Sequence, residues 1–264
     1  MKKVRLDELV LEQGLAETIE LARGLIMAGQ IRSGDRVWEK AGEKIAADIE
    51  LERKDQPCRW VSRGGLKLER ALEVFSVSPG GLRCLDIGAS TGGFTHVLLD
   101  GNARSVVALD VGYGLLDQRL KKDPRLEVRD RTNFRLLANE ELGEPFDLIV
   151  TDVSFISLRL ILPKAAEMLK QKGQIIALIK PQFEAPRGLV PDGGVIIDPE
   201  AHLMVIYELA EFISESSPLR LTAVEPVPLV SRKKNIEFVS LWRSGNPAIS
   251  RLQIRQVVEK AHQR

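Results

Sequence analysis

Apolar residues recur at helical spacing twice near the start of the chain, as Leu6, Leu9 and Val10 and then as Ile19, Ala22, Leu25 and Ile26, which predicts two short amphipathic helices between residues 6 and 29. Asp7 and Thr18 suit their N-caps, and Gly14 and Gly29 their stops. Short alternating runs follow at Gln30 to Arg32, Arg36 to Trp38 and Lys44 to Ile49, the first two flanking the turn Ser33-Gly34-Asp35. These read as one small sheet. Pro57, a run of charges and the pair Gly64-Gly65 then interrupt the pattern. Residues 1–57 are therefore expected to form a small α+β head, 58–63 a linker and 64–264 a body.

In the body, strand and helix patterns alternate. Strands are predicted at Arg83 to Leu85, Ser105 to Leu109, Leu126 to Val128, Phe146 to Thr151 and Gln174 to Ile179, and helices at Gly64 to Phe75, Gly93 to Leu99, Leu158 to Leu169 and Pro199 to Ser214. Such alternation belongs to a parallel sheet with crossover helices on both faces. Two further strands, Arg220 to Pro226 and Ile236 to Trp242, have no helix between them and should close the sheet as an antiparallel pair. The fold class is α/β, doubly wound and mostly parallel.

Composition narrows the setting. At 264 residues, 44% hydrophobic and 28% charged, the chain can bury a full-sized core beside a smaller one. Its net charge of +1 neither demands nor excludes a polyanionic partner, so a nucleic-acid surface has to come from local patches. One exists: between Arg53 and Arg70 stand six basic residues, Arg53, Lys54, Arg59, Arg63, Lys67 and Arg70, against Asp55 and Glu69. A solvated linker with snorkelling side chains would look the same. Cys58 and Cys84 are too few for a disulfide framework, and three histidines too few for a metal cluster, so no metal is expected and a reducing cytoplasm is. The opening MKKVRLDELVLEQ places acids where an export signal needs an apolar run, and no stretch is apolar enough to span a membrane.

The chemistry gathers at the strand ends. Each of the five parallel strands finishes on an ionisable residue, Asp86, Asp110, Asp130, Asp152 and Lys180, and ligands of doubly wound sheets bind outside those ends. Any one of them could simply cap a helix; five in order point to a site, because a charge in an apolar strand otherwise costs desolvation. The turn LDIGASTGG follows the first strand, with Gly88, Gly92 and Gly93 letting backbone approach a ligand. Ser90 replaces the second glycine of a dinucleotide fingerprint, while Asp110, one strand later, suits a ribose diol. An adenosine-containing cofactor without a diphosphate, S-adenosylmethionine, fits better than NAD.

Gly88 to Gly92 also satisfies the hydrolase pattern GxSxG, which would make Ser90 a nucleophile with a later base such as His202. The turn follows the body's first strand and lacks an upstream oxyanion loop, which disfavours that reading. Four charges remain in places that call for explanation, although each alone could be a surface charge: Lys67 beside the apolar stripe Leu68, Ala71, Leu72 and Phe75; Asp152 after FDLIVT; Lys180 after QIIALI; and Glu237 inside NIEFVSLW. If they converge, they shift one another's pKa values and can handle a hydroxyl proton.

The ordered segments RWVSRGGLKLERAL, LDIGASTGGFT, ALDVGYGLL, RTNFR, DLIVTDVSFISL, LIKPQFE, GGVIIDP and NIEF resemble the TlyA, or hemolysin A, family of ribosomal-RNA 2'-O-methyltransferases over nearly the whole chain. The resemblance implies an alpha-L type RNA-binding head and a Rossmann-like, FtsJ-type body. It implies a catalytic tetrad on Lys67, Asp152, Lys180 and Glu237, and a cofactor site drawn from Asp86, Gly88, Ser90, Gly92, Gly93, Phe94, Asp110 and Asp130, the last near the adenine. Arg59 to Val61 resembles the family's interdomain linker, implied to couple RNA docking to cofactor binding. The chain departs from the family at TIELARGLI, where a Ser-Arg pair is usual near Thr18 and Ile19, and at Lys234, where Gly is frequent.

The activity so implied is transfer of the sulfonium methyl of S-adenosylmethionine to the ribose 2'-hydroxyl of a cytidine in ribosomal RNA, with ribosomal subunits as partners. Lys180 would act on the hydroxyl proton with Lys67 as the nearby cation. Arg59, Arg63, Arg70, Arg232 and Lys233 would bind phosphates without reading sequence. Two readings from other classes compete: a ribosome-binding assembly factor without turnover, and a membrane-active hemolysin.

Overall fold

The computed structural model describes residues 3–34, 36–53, 59–191, 193–227 and 235–263. The chain divides into two compact units, Met1–Arg59 and Trp60–Arg264.

In the first unit, β1 (Lys3–Arg5) leads into α1 (Leu6–Glu12) and α2 (Ile19–Met27), whose apolar stripes meet in a core with Ile31 and Trp38. Thr18 caps α2, its Oγ1 accepting from Leu21 N–H at 3.2 Å. Gly14 and Gly29 end the two helices at φ +69° and +64°, left-handed positions that favour glycine. Asp7 is not a cap. Its side chain is fully buried and accepts from Arg5 Nη2 and Arg23 Nε, both at 2.8 Å; the Arg5 hydrogen bond, with Arg23 helping against the opposing effect of burial, holds its pKa down to about 2. The strands β2 (Ile31–Ser33), β3 (Arg36–Trp38) and β5 (Glu52–Arg53) pair antiparallel in the order β3-β2-β5, while β4 (Lys44–Ala46) pairs with β1. The head thus holds two small sheets where one was expected. β1 and β5 are three and two residues long, too short to carry a readable alternation.

The second unit begins with α3 (Gly64–Val74) and continues through β6 (Arg83–Ile87), α4 (Gly93–Asp100), β7 (Ser105–Leu109), β8 (Leu126–Arg129) and β9 (Phe146–Thr151). Next come α5 (Leu162–Glu167), β10 (Leu169–Ile179), α6 (Pro181–Glu184), α7 (Pro199–Ser216), β11 (Leu219–Pro226), β12 (Phe238–Ser244) and α8 (Arg251–His262). The sheet order is β11-β12-β10-β9-β6-β7-β8. β10, β9, β6, β7 and β8 are mutually parallel, and β12 lies antiparallel between β10 and β11, the closing pair the pattern predicts. Strand order reverses between β6 and β9, which opens a crevice at their carboxyl ends. Leu85, Ile149, Ile175, Ile206 and Trp242 are among the side chains of the main core.

Three local differences from the predicted pattern have physical causes. The expected helix at Leu158 to Leu169 is a 3-10 turn, Leu158–Leu160, followed by α5, because Pro163 restarts the helix as one of its first residues. β10 begins earlier than predicted and shifts register between Leu169 and Gln174. α8 was not foreseen: its buried stripe is only Ile254, Val258 and Ala261 on an otherwise polar surface, and a capping box of Ser250 and Gln253 starts it. No helix among the described residues is long and apolar enough to cross a membrane.

Trp60 packs over the first turn of α3. Its ring is 5% exposed, and Nε1 donates to Glu69 Oε2 at 3.1 Å. A Cβ placed on Gly65 would lie 2.5 Å from both Cβ and Cγ of Trp60. Gly65→Ala is therefore expected to cost roughly 1–3 kcal/mol of stability through overpacking; a thermal melt unchanged from wild type would contradict this packing.

Candidate active site

Four charged side chains from four separate stretches meet at the reversal point of the sheet. Asp152 follows the last residue of β9 and Lys180 the last of β10, so the parallel pairing of those strands sets the two side by side. Lys180 Nζ lies 2.6 Å from Asp152 Oδ1 and donates to Ser154 Oγ at 2.8 Å. Lys67 projects from α3, with Nζ 3.5 Å from Asp152 Oδ2 and 2.6 Å from Glu237 Oε2. Glu237 immediately precedes β12, and its carbonyl accepts from Val227 N–H. Asp152 is thus shared between two lysines. Lys180 is the most enclosed of the four, its side chain 9% exposed against 19–25% for the others. Burial works against the Lys67 ammonium, but the Asp152 and Glu237 carboxylates outweigh it and raise its pKa above the ordinary lysine value. Lys67 is held as a cation.

The glycine turn between β6 and α4 adjoins this cluster. Gly88 has φ +81°, and a Cβ there would stand 3.1 Å from Val153 Cγ1 and 3.6 Å from the Asp152 carbonyl oxygen. Ser90, at φ +49°, and Thr91 are exposed at its apex. Asp110 follows the last residue of β7 and accepts from Ser90 N–H at 2.8 Å and Gly112 N–H at 2.7 Å; Asp130 follows the last residue of β8 and accepts from Gly114 N–H at 3.1 Å. Both carboxylates are half-buried, and each oxygen keeps a further lone pair for a ligand hydroxyl or amino group. An exposed backbone apex beside two such acceptors fits an adenosine-bearing, phosphate-free cofactor.

Several residues expected to touch a cofactor sit lower than the pattern suggested. Gly92 and Gly93 are buried, and their missing Cβ atoms make room for the protein itself: at Gly92 a Cβ would fall 2.5 Å from Leu120 Cδ1, and at Gly93 2.2 Å from Ser62 Oγ and 2.8 Å from Gly65 N. Phe94 is 4% exposed and belongs to the core. Asp86 lies inside β6, 1% exposed, with Oδ2 accepting from Thr95 Oγ1 at 2.7 Å; it supports the turn from beneath. These four face inward, since glycine and aromatic spacing does not separate backbone needed by a ligand from backbone needed by packing.

The model of the FtsJ-like methyltransferase family matches residues 60–243, a span that contains the whole cluster. The chain belongs to the FtsJ-like methyltransferase family. It is 42% identical to the Bacillus subtilis protein named "Putative rRNA methyltransferase YqxC", across 99% of this chain and 95% of that one. It is 39% identical to the 16S/23S rRNA (cytidine-2'-O)-methyltransferase TlyA of Mycobacterium tuberculosis, across 98% and 97%. A solved Streptococcus thermophilus structure named "Putative hemolysin" covers 100% of this chain and 97% of its own, with 38% identity and a TM-score of 0.77.

Other candidates of the methyltransferase fall as follows. Arg63 and Arg70 are exposed at α3, Arg70 paired with Glu73 at 2.6 Å, and Arg59 is exposed at the end of the first unit. Arg232 and Lys233 lie outside the described residues, as do Lys54 and Cys58. The hydrolase reading fails, because His202 is buried in α7, with Nδ1 2.9 Å from His262 Nε2 and its ring against Phe238.

Residues that pattern reading passed over complete the site. Ser154 is Lys180's second partner. Phe155 is 90% exposed at φ +63°, with its ring centroid 5.0 Å from that of Phe183; a left-handed aromatic residue carries about 1–2 kcal/mol of strain. Asn235 bridges two segments, accepting from Ile196 N–H and donating to the Gly194 carbonyl, each at 2.8 Å, and so ties the chain before Glu237 to the GGVII loop. An aromatic between serines just past a strand end, and an asparagine two residues before the glutamate, were the available signals.

Burial raises the Asp86 carboxyl's pKa from 3.8 to about 7, against the lowering effect of Thr95 and with smaller contributions from Asp152 and Asp110. Between those values the folded protein holds a proton that the unfolded chain has released, so stability falls as pH rises through the window. Asp86→Asn should abolish that fall, worth up to about 4 kcal/mol at full shift. Thermal melts of both proteins from pH 4 to pH 8 check this: the two curves should diverge with rising pH, and parallel curves would refute it.

Proposed function

We propose that this methyltransferase transfers a methyl group from S-adenosylmethionine to the ribose 2'-hydroxyl of a cytidine in ribosomal RNA of the small and possibly the large subunit. The observation that carries the reading is the Lys67–Asp152–Lys180–Glu237 cluster at the sheet's reversal point, against the turn that holds Gly88. The names of the relatives support the substrate class.

S-adenosylmethionine, when bound, supplies an electrophilic methyl group. The backbone apex at Ser90 and the Asp110 and Asp130 carboxylates would hold it, Asp110 at the ribose and Asp130 near the adenine. Lys180 Nζ, enclosed and aimed by Asp152 and Ser154, takes up the proton of the attacking 2'-hydroxyl. Lys67, kept charged by its two carboxylates, supplies a fixed positive charge on the other side of Asp152. Glu237 anchors Lys67 in that place. Alignment of hydroxyl and methyl contributes the larger share of the rate, roughly 7 to 11 kcal/mol in well-oriented cases. Phe155, next in the chain to Ser154, and Phe183 would offer ring faces for a base extruded from its stack.

For RNA docking, the head serves as the RNA-binding module, and Arg59, Arg63 and Arg70, together with Arg232 and Lys233, contact phosphates. The tetrad favours turnover over a purely structural role in ribosome assembly. No described helix supports insertion as a helical pore.

Lys180→Ala should lower transfer of tritium from labelled S-adenosylmethionine to ribosomal subunits by at least about 100-fold with cofactor affinity unchanged. Near-normal turnover would refute the assignment, and absence of transfer by the wild-type protein would favour the assembly-factor reading. RNA affinity should fall linearly in log–log form as salt rises, and Arg63→Ala should flatten that slope by about one phosphate contact; a salt-insensitive complex would contradict phosphate docking.

A further inference from the structure

Glu184 is the last residue of α6, four positions after Lys180, and is 7% exposed. Nothing in the tetrad uses it. Its Oε2 accepts from Ser157 Oγ at 2.6 Å and its Oε1 from Leu158 N–H at 2.7 Å. Ser157 Oγ in turn accepts from Arg159 N–H at 3.1 Å. The carboxylate therefore caps the 3-10 turn Leu158–Leu160 from a different strand end, satisfying a backbone donor that the turn cannot satisfy itself. Leu158 is 1% exposed, so that donor has no recourse to water.

The consequence reaches the reacting groups. The loop from Asp152 to Leu158 is fastened at both ends to one corner of the protein, the stretch Lys180 to Glu184. Asp152 and Ser154 meet Lys180 at one end, and Ser157 and Leu158 meet Glu184 at the other. Between the two fastenings sits Phe155 in its left-handed conformation, against Phe183 of the same corner. A strained, exposed residue persists only where its surroundings over-determine it, and Glu184 supplies the fastening on its C-terminal side.

We propose that Glu184 is a positioning residue for methyl transfer, holding the Asp152–Leu158 loop so that Ser154 stays on Lys180 and Phe155 stays presented on the substrate face. This rests on the function proposed above and adds a residue outside the tetrad to it. Burial raises the Glu184 pKa, while the hydrogen bonds from Leu158 and Ser157, with Arg159, oppose it, in keeping with a carboxylate enclosed for its contacts.

Glu184→Gln keeps the shape but leaves only one oxygen for two donors, and Ser157→Ala removes one donor while leaving the carboxylate intact. In tritium transfer to ribosomal subunits, Glu184→Gln should lower kcat by about 10- to 100-fold, as a displaced reacting group does, with affinity for S-adenosylmethionine and the melting temperature close to wild type. Ser157→Ala should show a smaller loss of the same kind. Hydrogen–deuterium exchange of residues 153–158 should quicken in Glu184→Gln. Wild-type kcat in both variants would overturn the proposal, as would a loss of kcat matched by equal losses in cofactor affinity and melting temperature, which is the mark of a merely structural role. If the wild-type protein transfers no methyl group, the proposed function fails by itself. Exchange then still decides whether Glu184 holds the loop: quickening supports it and unchanged exchange overturns it.

Discussion

A single carboxylate set between two lysine amino groups organises this cluster. Asp152 lies 2.6 Å from Lys180 and 3.5 Å from Lys67, and Lys67 also meets Glu237 at 2.6 Å. The Lys67 ammonium cannot be enclosed without compensating negative charge. The rest of the second unit is arranged to deliver that compensation: β9 and β10 in parallel register bring Asp152 and Lys180 together, α3 carries Lys67 across, and the antiparallel β12 brings Glu237 back to the same sheet end. The closing antiparallel pair therefore positions a member of the cluster as well as forming the sheet's edge.

The same economy of contacts appears in the loops. Gly93 and Gly92 give way to Ser62, Leu116 and Leu120, so the turn near the cluster is braced by the chain just before α3 and by the segment after β7. Val61 N–H donates to His96 Nδ1 at 3.2 Å, and the Trp60 ring meets His96 edge-on. The short stretch from Trp60 to Ser62 thus touches both the helix that bears Lys67 and the helix that follows the glycine turn. A preorganised electrostatic site depends on such support, because groups that must reorient during reaction lose much of their effect.

Much of this was legible from the chain alone. The alternation of strand and helix patterns identified the parallel sheet and its antiparallel closure, and the charges at Lys67, Asp152, Lys180 and Glu237 stood out because apolar surroundings make them costly. What pattern could not resolve was direction. Asp86, Gly92, Gly93 and Phe94 belong to the segment that resembles a cofactor turn, yet they face inward, because the same residue types serve tight packing. Phe155 and Glu184 went unread for the opposite reason: an exposed aromatic in a loop and a buried acid in a one-turn helix leave no periodic trace. The division of the head into two small sheets left no trace in the pattern because β1 and β5 are too short to alternate.

In the proposed reaction Asp152 enables transfer by arranging the two lysines, and Asp152→Asn tests that role most directly, since the substitution keeps the side chain's size and removes its charge. Binding of S-adenosylmethionine and tritium transfer to ribosomal subunits, measured on the same preparation, should separate: binding retained, transfer lost. Transfer near the wild-type rate in that variant would contradict the claim.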